Sequence, residues 1–111
     1  MFGFTLRREE KTVSPAEAED LALRGVALLV DVREEGEWAG GRIEGAVHAP
    51  LSRLESLAAR LPADRPIVFY CLSGGRSARA IAVCRGLGLS HDTHMAGGIS
   101  AWLAEGRPVV R

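Results

Sequence analysis

Residues 66–77 read Pro66-Ile67-Val68-Phe69-Tyr70-Cys71-Leu72-Ser73-Gly74-Gly75-Arg76-Ser77. Ile67 to Tyr70 is a continuous apolar run without alternation, the pattern of a strand buried on both faces of a parallel sheet. A cysteine ends the run, two glycines follow, and Ile81, Cys84 and Leu87 resume helical spacing and are expected to line one face. Strand, tight loop and helix in that order predict an α/β domain, because parallel strands need long crossovers and helices supply them. Ala27-Leu28-Leu29-Val30-Asp31-Val32 repeats the buried-strand pattern upstream.

The segments on either side fit the same architecture. Ser14-Pro15-Ala16-Glu17 predicts a helix start, with Ser14 and Glu17 as a capping box and Pro15 at the first helical position. Ala18, Leu21 and Ala22 then share a face, and Gly25 ends the helix. Residues 33–50 hold four glycines and end in Pro50, so they are expected to be mostly loop, with a turn of helix near Glu35 to Ala39. Leu51, Leu54, Leu57, Ala58 and Leu61 keep helical spacing, and Pro62 stops that helix. Asp92 to Met95 and Thr12-Val13 are candidate short strands, and Gly98 to Glu105 is a last helix carrying Trp102. The expected fold is one α/β domain over residues 1–111, three layers deep. Its central sheet is mainly parallel and carries helices on both faces.

Composition narrows the function. The chain has 111 residues, 47% of them hydrophobic, in globular proportion. Fourteen basic residues balance fourteen acidic ones, which argues against a nucleic-acid partner. Two cysteines are too few for a disulfide scaffold or a four-cysteine zinc site. Met1 to Thr12 lacks a signal-type apolar region, and runs such as Val26 to Val30 are too short to span a bilayer. The expectation is a cytoplasmic protein with reduced thiols and no membrane partner. The chain has no Asn or Gln, and 13 Arg against 1 Lys. That pattern fits a thermostable protein, and a base-composition effect accounts for the arginines equally well.

The chemistry concentrates at Cys71. It stands at the C-terminal end of a buried strand, the edge of an α/β sheet where ligands bind. The amides of a tight loop and of the following helix N-terminus converge there as an anion cradle, which Gly74 and Gly75 make room for. Cys71 is therefore expected to titrate below the ordinary thiol value of about 8.5, helped by the amides, the helix dipole and Arg76. A thiolate at neutral pH is a nucleophile without a separate base.

These motifs together resemble the rhodanese-like family of sulfurtransferases. Asp31-Val32-Arg33, Glu37-Trp38, Gly41-Arg42-Ile43 and Gly45-Ala46 to Pro50 are similar to its N-terminal signature. Cys71 to Ser77 is similar to the active-site loop of its single-domain members. Gly97-Gly98, Trp102 and Gly106-x-Pro108 are similar to its C-terminal signature. The resemblance covers residues 13–110. Arg42 stands where many members carry His and others Arg. The resemblance implies a two-step transfer. Cys71 takes the sulfane sulfur of a donor such as thiosulfate as a persulfide, then passes it to cyanide or a thiol acceptor; a protein is a further candidate acceptor. It implies no cofactor. Leu72, Ser73, Gly74, Gly75, Arg76 and Ser77 form the loop around Cys71. Arg76 is expected to bind the anionic donor or position the loop, and Ser77 to donate to Cys71 or cap the helix.

Two other functions compete. One is a non-catalytic binding or sensor module of the same fold, which the retention of Cys71, Gly74 and Arg76 disfavours. The other is a related phosphatase or arsenate reductase. Four residues separate Cys71 from Arg76, whereas the related dual-specificity phosphatases have five, so the smaller cradle favours sulfur over phosphate. Leu72 and Ser73 are neutral, which predicts weak thiosulfate turnover. Asp31 and Arg33 at a strand end are expected to be supporting residues that pair with loop residues or with each other, with a donor contact by Arg33 as the alternative. Cys84 reads as core. His91 and His94 lie three apart without a supporting ligand cluster, so no metal site is predicted. His48 reads as a loop residue, and Trp38 and Trp102 as packing groups.

Overall fold

The computed structural model describes residues 10–111. Its elements are β1 Lys11–Val13, α1 Pro15–Leu23, β2 Leu28–Asp31, α2 Glu35–Gly40, β3 Val47–His48, α3 Leu54–Leu57, β4 Ile67–Tyr70, α4 Gly75–Gly86, β5 Thr93–Met95 and α5 Gly98–Ala104. The five strands form one parallel sheet in the order β1-β5-β4-β2-β3, with β4 at its centre. Among the described residues no helix is long and apolar enough to cross a membrane.

The two apolar runs owe their continuity to a sheet covered on both faces. Leu28, Val30, Ile67, Phe69 and Cys71 pack with Leu54, Ala58, Ala80, Ile81 and Cys84, on the face of α3 and α4. The alternate residues Leu29, Val68, Tyr70 and Met95 pack with Ala18, Ile99 and Trp102, on the face of α1 and α5. Each fully buried large side chain contributes roughly 1.5–3 kcal/mol. The chain therefore forms a three-layer α/β fold.

α1 starts as its cap chemistry requires. Ser14 Oγ accepts from the Glu17 amide at 3.1 Å, and the Glu17 carboxylate accepts from the Ser14 amide at 2.8 Å. Three expectations need correction. The segment 51–61 is no continuous helix: a single α-turn, Leu54–Leu57, lies between 3-10 turns at Leu51–Arg53 and Ala58–Arg60. Only Leu54 and Ala58, four apart, are buried, and so short a segment does not sustain a helix by itself. The loop expected over 33–50 holds, besides α2, the edge strand β3, whose two residues are too few to show any period. Leu87 does not share the buried face of α4. Spacing of three drifts 60° per step around a helix with about 3.6 residues per turn, so Leu87 is 42% exposed while Ile81 and Cys84 are buried. Leu89 packs against that core instead.

Candidate active site

Cys71 follows directly on β4, at the C-terminal edge of the central strand, and its side chain is buried. The chain then turns back on itself. Gly74 adopts φ +122°, a conformation that favours glycine, and caps α4. Through this turn the Gly74 amide donates to Cys71 Sγ at 3.1 Å and the Ser77 amide at 3.3 Å. The Ser77 hydroxyl lies 3.6 Å from the same sulfur. Ser77 is thus not the cap of α4. It sits inside the first turn, buried and aimed at Cys71.

Burial pushes the Cys71 thiol up. The Ser77 hydroxyl and the amides of Ser77, Gly74 and Ser73 act against it and leave the thiol below its ordinary value. The donors bonded to the sulfur are neutral dipoles. Arg76 is turned away to Glu37 of α2, with two parallel bonds of 2.7 and 2.8 Å. That pair holds the Glu37 carboxyl down at about 2, chiefly through the Arg76 hydrogen bonds, and raises Arg76 further. Arg76 thereby ties the loop to α2.

The other flank is held by α5. Ile99 and Ser100 donate their amides to the carbonyl oxygens of Cys71 and Leu72 at 2.8 and 3.0 Å. Gly98, with φ +61°, lies so close that a Cβ there would stand 2.4 Å from Leu72 O and 2.5 Å from Cys71 O. Leu72, Ser73 and Gly75 are exposed on the loop's outer side. A groove of about 430 Å³ opens beside Leu72, bounded by Glu37, Leu103 and Arg111.

Arg33 is paired with Asp31. Its Nη2 lies 2.7 Å from Asp31 Oδ2 and also donates to the Gly41 carbonyl oxygen at 2.7 Å. Burial lowers the Arg33 guanidinium, the Asp31 carboxylate raises it, and the balance is upward. His48 bonds through Nε2 to the Arg33 carbonyl oxygen at 2.8 Å and stacks on Trp38 with centroids 4.6 Å apart. Trp102 is buried, with its indole N–H on the Pro108 carbonyl oxygen. Cys84 is buried in α4, and burial raises its thiol.

The place of His94 beside Ser77 is not apparent from the spacing of the two histidines. His91 and His94, three apart in sequence, go separate ways. His91 meets the edge of Phe69, with centroids 6.2 Å apart. His94 is buried in β5, and its Nδ1 lies 2.7 Å from Ser77 Oγ. The available signal was alternation: Met95 faces α1 and α5, so His94 must face α4.

Known proteins resemble this chain in sequence and fold. The rhodanese-like domain pattern matches residues 14–105. A probable adenylyltransferase/sulfurtransferase MoeZ of Mycobacterium tuberculosis is 41% identical over 100 residues, covering 87% of this chain. The chain spans only 26% of that relative's length. A human thiosulfate:glutathione sulfurtransferase is 36% identical over 106 residues, covering 83% of this chain and 92% of the relative. A crystal structure of a rhodanese-related protein from Thermoplasma volcanium superposes with a TM-score of 0.79 at 31% identity, covering 90% of this chain and 97% of that one. A pattern match over most of the chain, relatives named as sulfurtransferases and a shared architecture lead to one conclusion: the chain belongs to the rhodanese-like domain family.

Proposed function

We propose that this chain is a sulfurtransferase domain whose Cys71 carries the transferred sulfur as a persulfide. The observation behind this reading is the set of donors around Sγ, the Ser77 hydroxyl and the Ser77 and Gly74 amides at 3.3 and 3.1 Å, which lower a thiol that burial alone would raise. In the first half-reaction the Cys71 thiolate attacks the sulfane sulfur of the donor. The new S–S bond forms at Cys71, the donor's bond breaks, and thiosulfate leaves as sulfite with the bonding electron pair. In the second, an acceptor thiolate or cyanide attacks the terminal sulfur and Cys71 departs as thiolate. Neither half needs a metal or a redox cofactor.

Leu72 and Ser73 are uncharged and the Arg76 fork is occupied by Glu37, so the loop offers a thiosulfate dianion little attraction. A persulfide donor of lower charge, small or carried on a protein, suits the site better. A thiol is the fitting acceptor, in a reducing cytoplasmic setting that keeps Cys71 reduced. The decisive measurement is intact mass after incubation with thiosulfate and, separately, with a low-molecular-weight persulfide. Gain of one sulfur atom at Cys71, lost on adding thiol, is expected. No sulfur gained from either donor would favour a non-catalytic binding module.

A further inference from the structure

Ser77 Oγ stands among three polar atoms: the Gly74 carbonyl oxygen at 3.1 Å, Cys71 Sγ at 3.6 Å and His94 Nδ1 at 2.7 Å. A hydroxyl has one proton to give. At 2.7 Å two lone pairs do not face each other, so a proton lies between Ser77 and His94. If Ser77 supplies it, the sulfur receives nothing from the hydroxyl. If Nδ1 supplies it, the hydroxyl is released to donate to the sulfur. The far side of the ring decides what that second arrangement means. Nε2 is buried with no hydrogen-bond partner among the described residues, and Glu10 Oε1 lies 3.4 Å away. A carboxylate oxygen on that side favours an Nε2 proton, so a proton on Nδ1 as well makes the ring an imidazolium.

We propose that His94 receives the Cys71 proton through Ser77, a role that rests on Cys71 being the nucleophile. The S–H bond of Cys71 breaks as its proton joins Ser77 Oγ. The proton originally on Ser77 passes to His94 Nδ1. The products are a thiolate accepting from Ser77 and an imidazolium facing Glu10, with no electrons gained or lost. His94 touches neither sulfur nor substrate and is a positioning residue. Around this chain of atoms stand Glu10 before β1, the Lys11–Asp92 pair at 3.6 Å, and the Arg76–Glu37 pair beside the loop. His91 against Phe69 and Cys84 in α4 share its face of the sheet. Of these, Glu10 lies against the His94 ring itself.

The test reads charge rather than sulfur transfer, so it can fail while transfer at Cys71 stands. On a Cys84→Ala background at pH 7, the nitrogen NMR shifts of His94 are compared with and without Cys71→Ala. Both ring nitrogens are expected to carry protons when Cys71 is present, and Nδ1 to lose its proton when Cys71 is replaced. His94→Asn keeps an N–H for Ser77 but cannot take a charge, and is expected to slow iodoacetamide alkylation of Cys71 about tenfold at pH 7. In a Ser77→Ala background the same replacement is expected to have no further effect, because the bridge is gone. A bare Nδ1 while Cys71 alkylates as a thiolate would overturn the proposal. So would an unchanged alkylation profile in a folded His94→Asn protein. If that variant does not fold, the NMR comparison alone decides.

Discussion

Replacing Gly98 with Ala is the sharpest probe of how the Cys71 loop is held. The added Cβ would lie 2.4 Å from Leu72 O and 2.5 Å from Cys71 O, both backbone atoms that cannot rotate away. Reaching ordinary contact at 3.4 Å means separating α5 from the loop by about 1 Å. That separation breaks or stretches the bonds from Ile99 N to Cys71 O and from Ser100 N to Leu72 O, each contributing about 0.5–1.5 kcal/mol. Left-handed backbone at φ +61° adds roughly 1–2 kcal/mol for a residue with a Cβ. The expected destabilisation is about 2–5 kcal/mol. Gly45, at φ +85° with nothing within 4 Å, isolates the backbone cost, so Gly45→Ala should lose only about 1–2 kcal/mol. Urea midpoints measure the difference, and Cys71 alkylation with sulfur transfer measures the loop. A 1 Å misplacement of the cradle should slow transfer about a hundredfold. Gly98→Ala no less stable than Gly45→Ala, with alkylation and transfer intact, would refute the reasoning.

Four further outcomes are expected. Glu37 lies at about 2 when paired, against 4.5 ordinarily, so its stabilisation of the loop is complete above pH 4.5 and lost as pH falls through about 2. Backbone NMR of residues 72–76 during acid titration should therefore change only in that window. Glu37→Gln frees the Arg76 charge and should lower the KM for thiosulfate in steady-state assays; an unchanged or higher KM would show that Arg76 serves the loop alone. Cys84→Ala should keep most sulfur transfer and lose about 1 kcal/mol by denaturant melting, since Cys84 is a buried core group with its thiol raised by burial. Cys71→Ser should abolish transfer in the same assay while leaving the melting transition in place, because an alcohol here neither ionises nor holds sulfane sulfur.

The parts of the fold legible in the sequence were those with local causes. β4 announces itself as an unbroken apolar run, β2 as an apolar run ending in Asp31, and α1 by the Ser14 to Glu17 cap, because burial on both faces and capping are decided within a few residues. β3 was invisible because two residues have no period. The 51–61 segment misled because leucine spacing reports which side is apolar and not whether the backbone bonds run to the fourth or the third residue. The site divides in the same way. Cys71, Gly74 and the converging amides follow from strand, glycine and helix in sequence. The partners of Arg76 and Ser77 do not: Glu37 lies 39 residues from Arg76, and His94 lies 17 from Ser77 on a neighbouring strand. Register and loop closure decide such meetings, and neither is written in local spacing.

The pairing of Arg76 gives the choice of chemistry a second basis, independent of loop length. A planar guanidinium binds a carboxylate or a phosphate through the same two parallel N–H bonds. Here the Glu37 carboxylate fills that fork at 2.7 and 2.8 Å, the seat in which two phosphoryl oxygens would sit. Phosphoryl transfer needs the fork, because charge spreads over three equatorial oxygens and must be met there. Sulfur transfer does not. On the proposed cycle Cys71 carries one negative charge as thiolate and one as persulfide, so the site must stabilise a constant charge near one place. Fixed neutral dipoles do this without reorganising, which is what the amides of Gly74 and Ser77 provide. An arginine left free above that sulfur would hold the departing sulfite as well as the arriving donor. Tying it to α2 spends its charge on holding the loop in shape, and leaves both halves of the cycle to the neutral donors around the sulfur, the Ser77 hydroxyl and the loop amides.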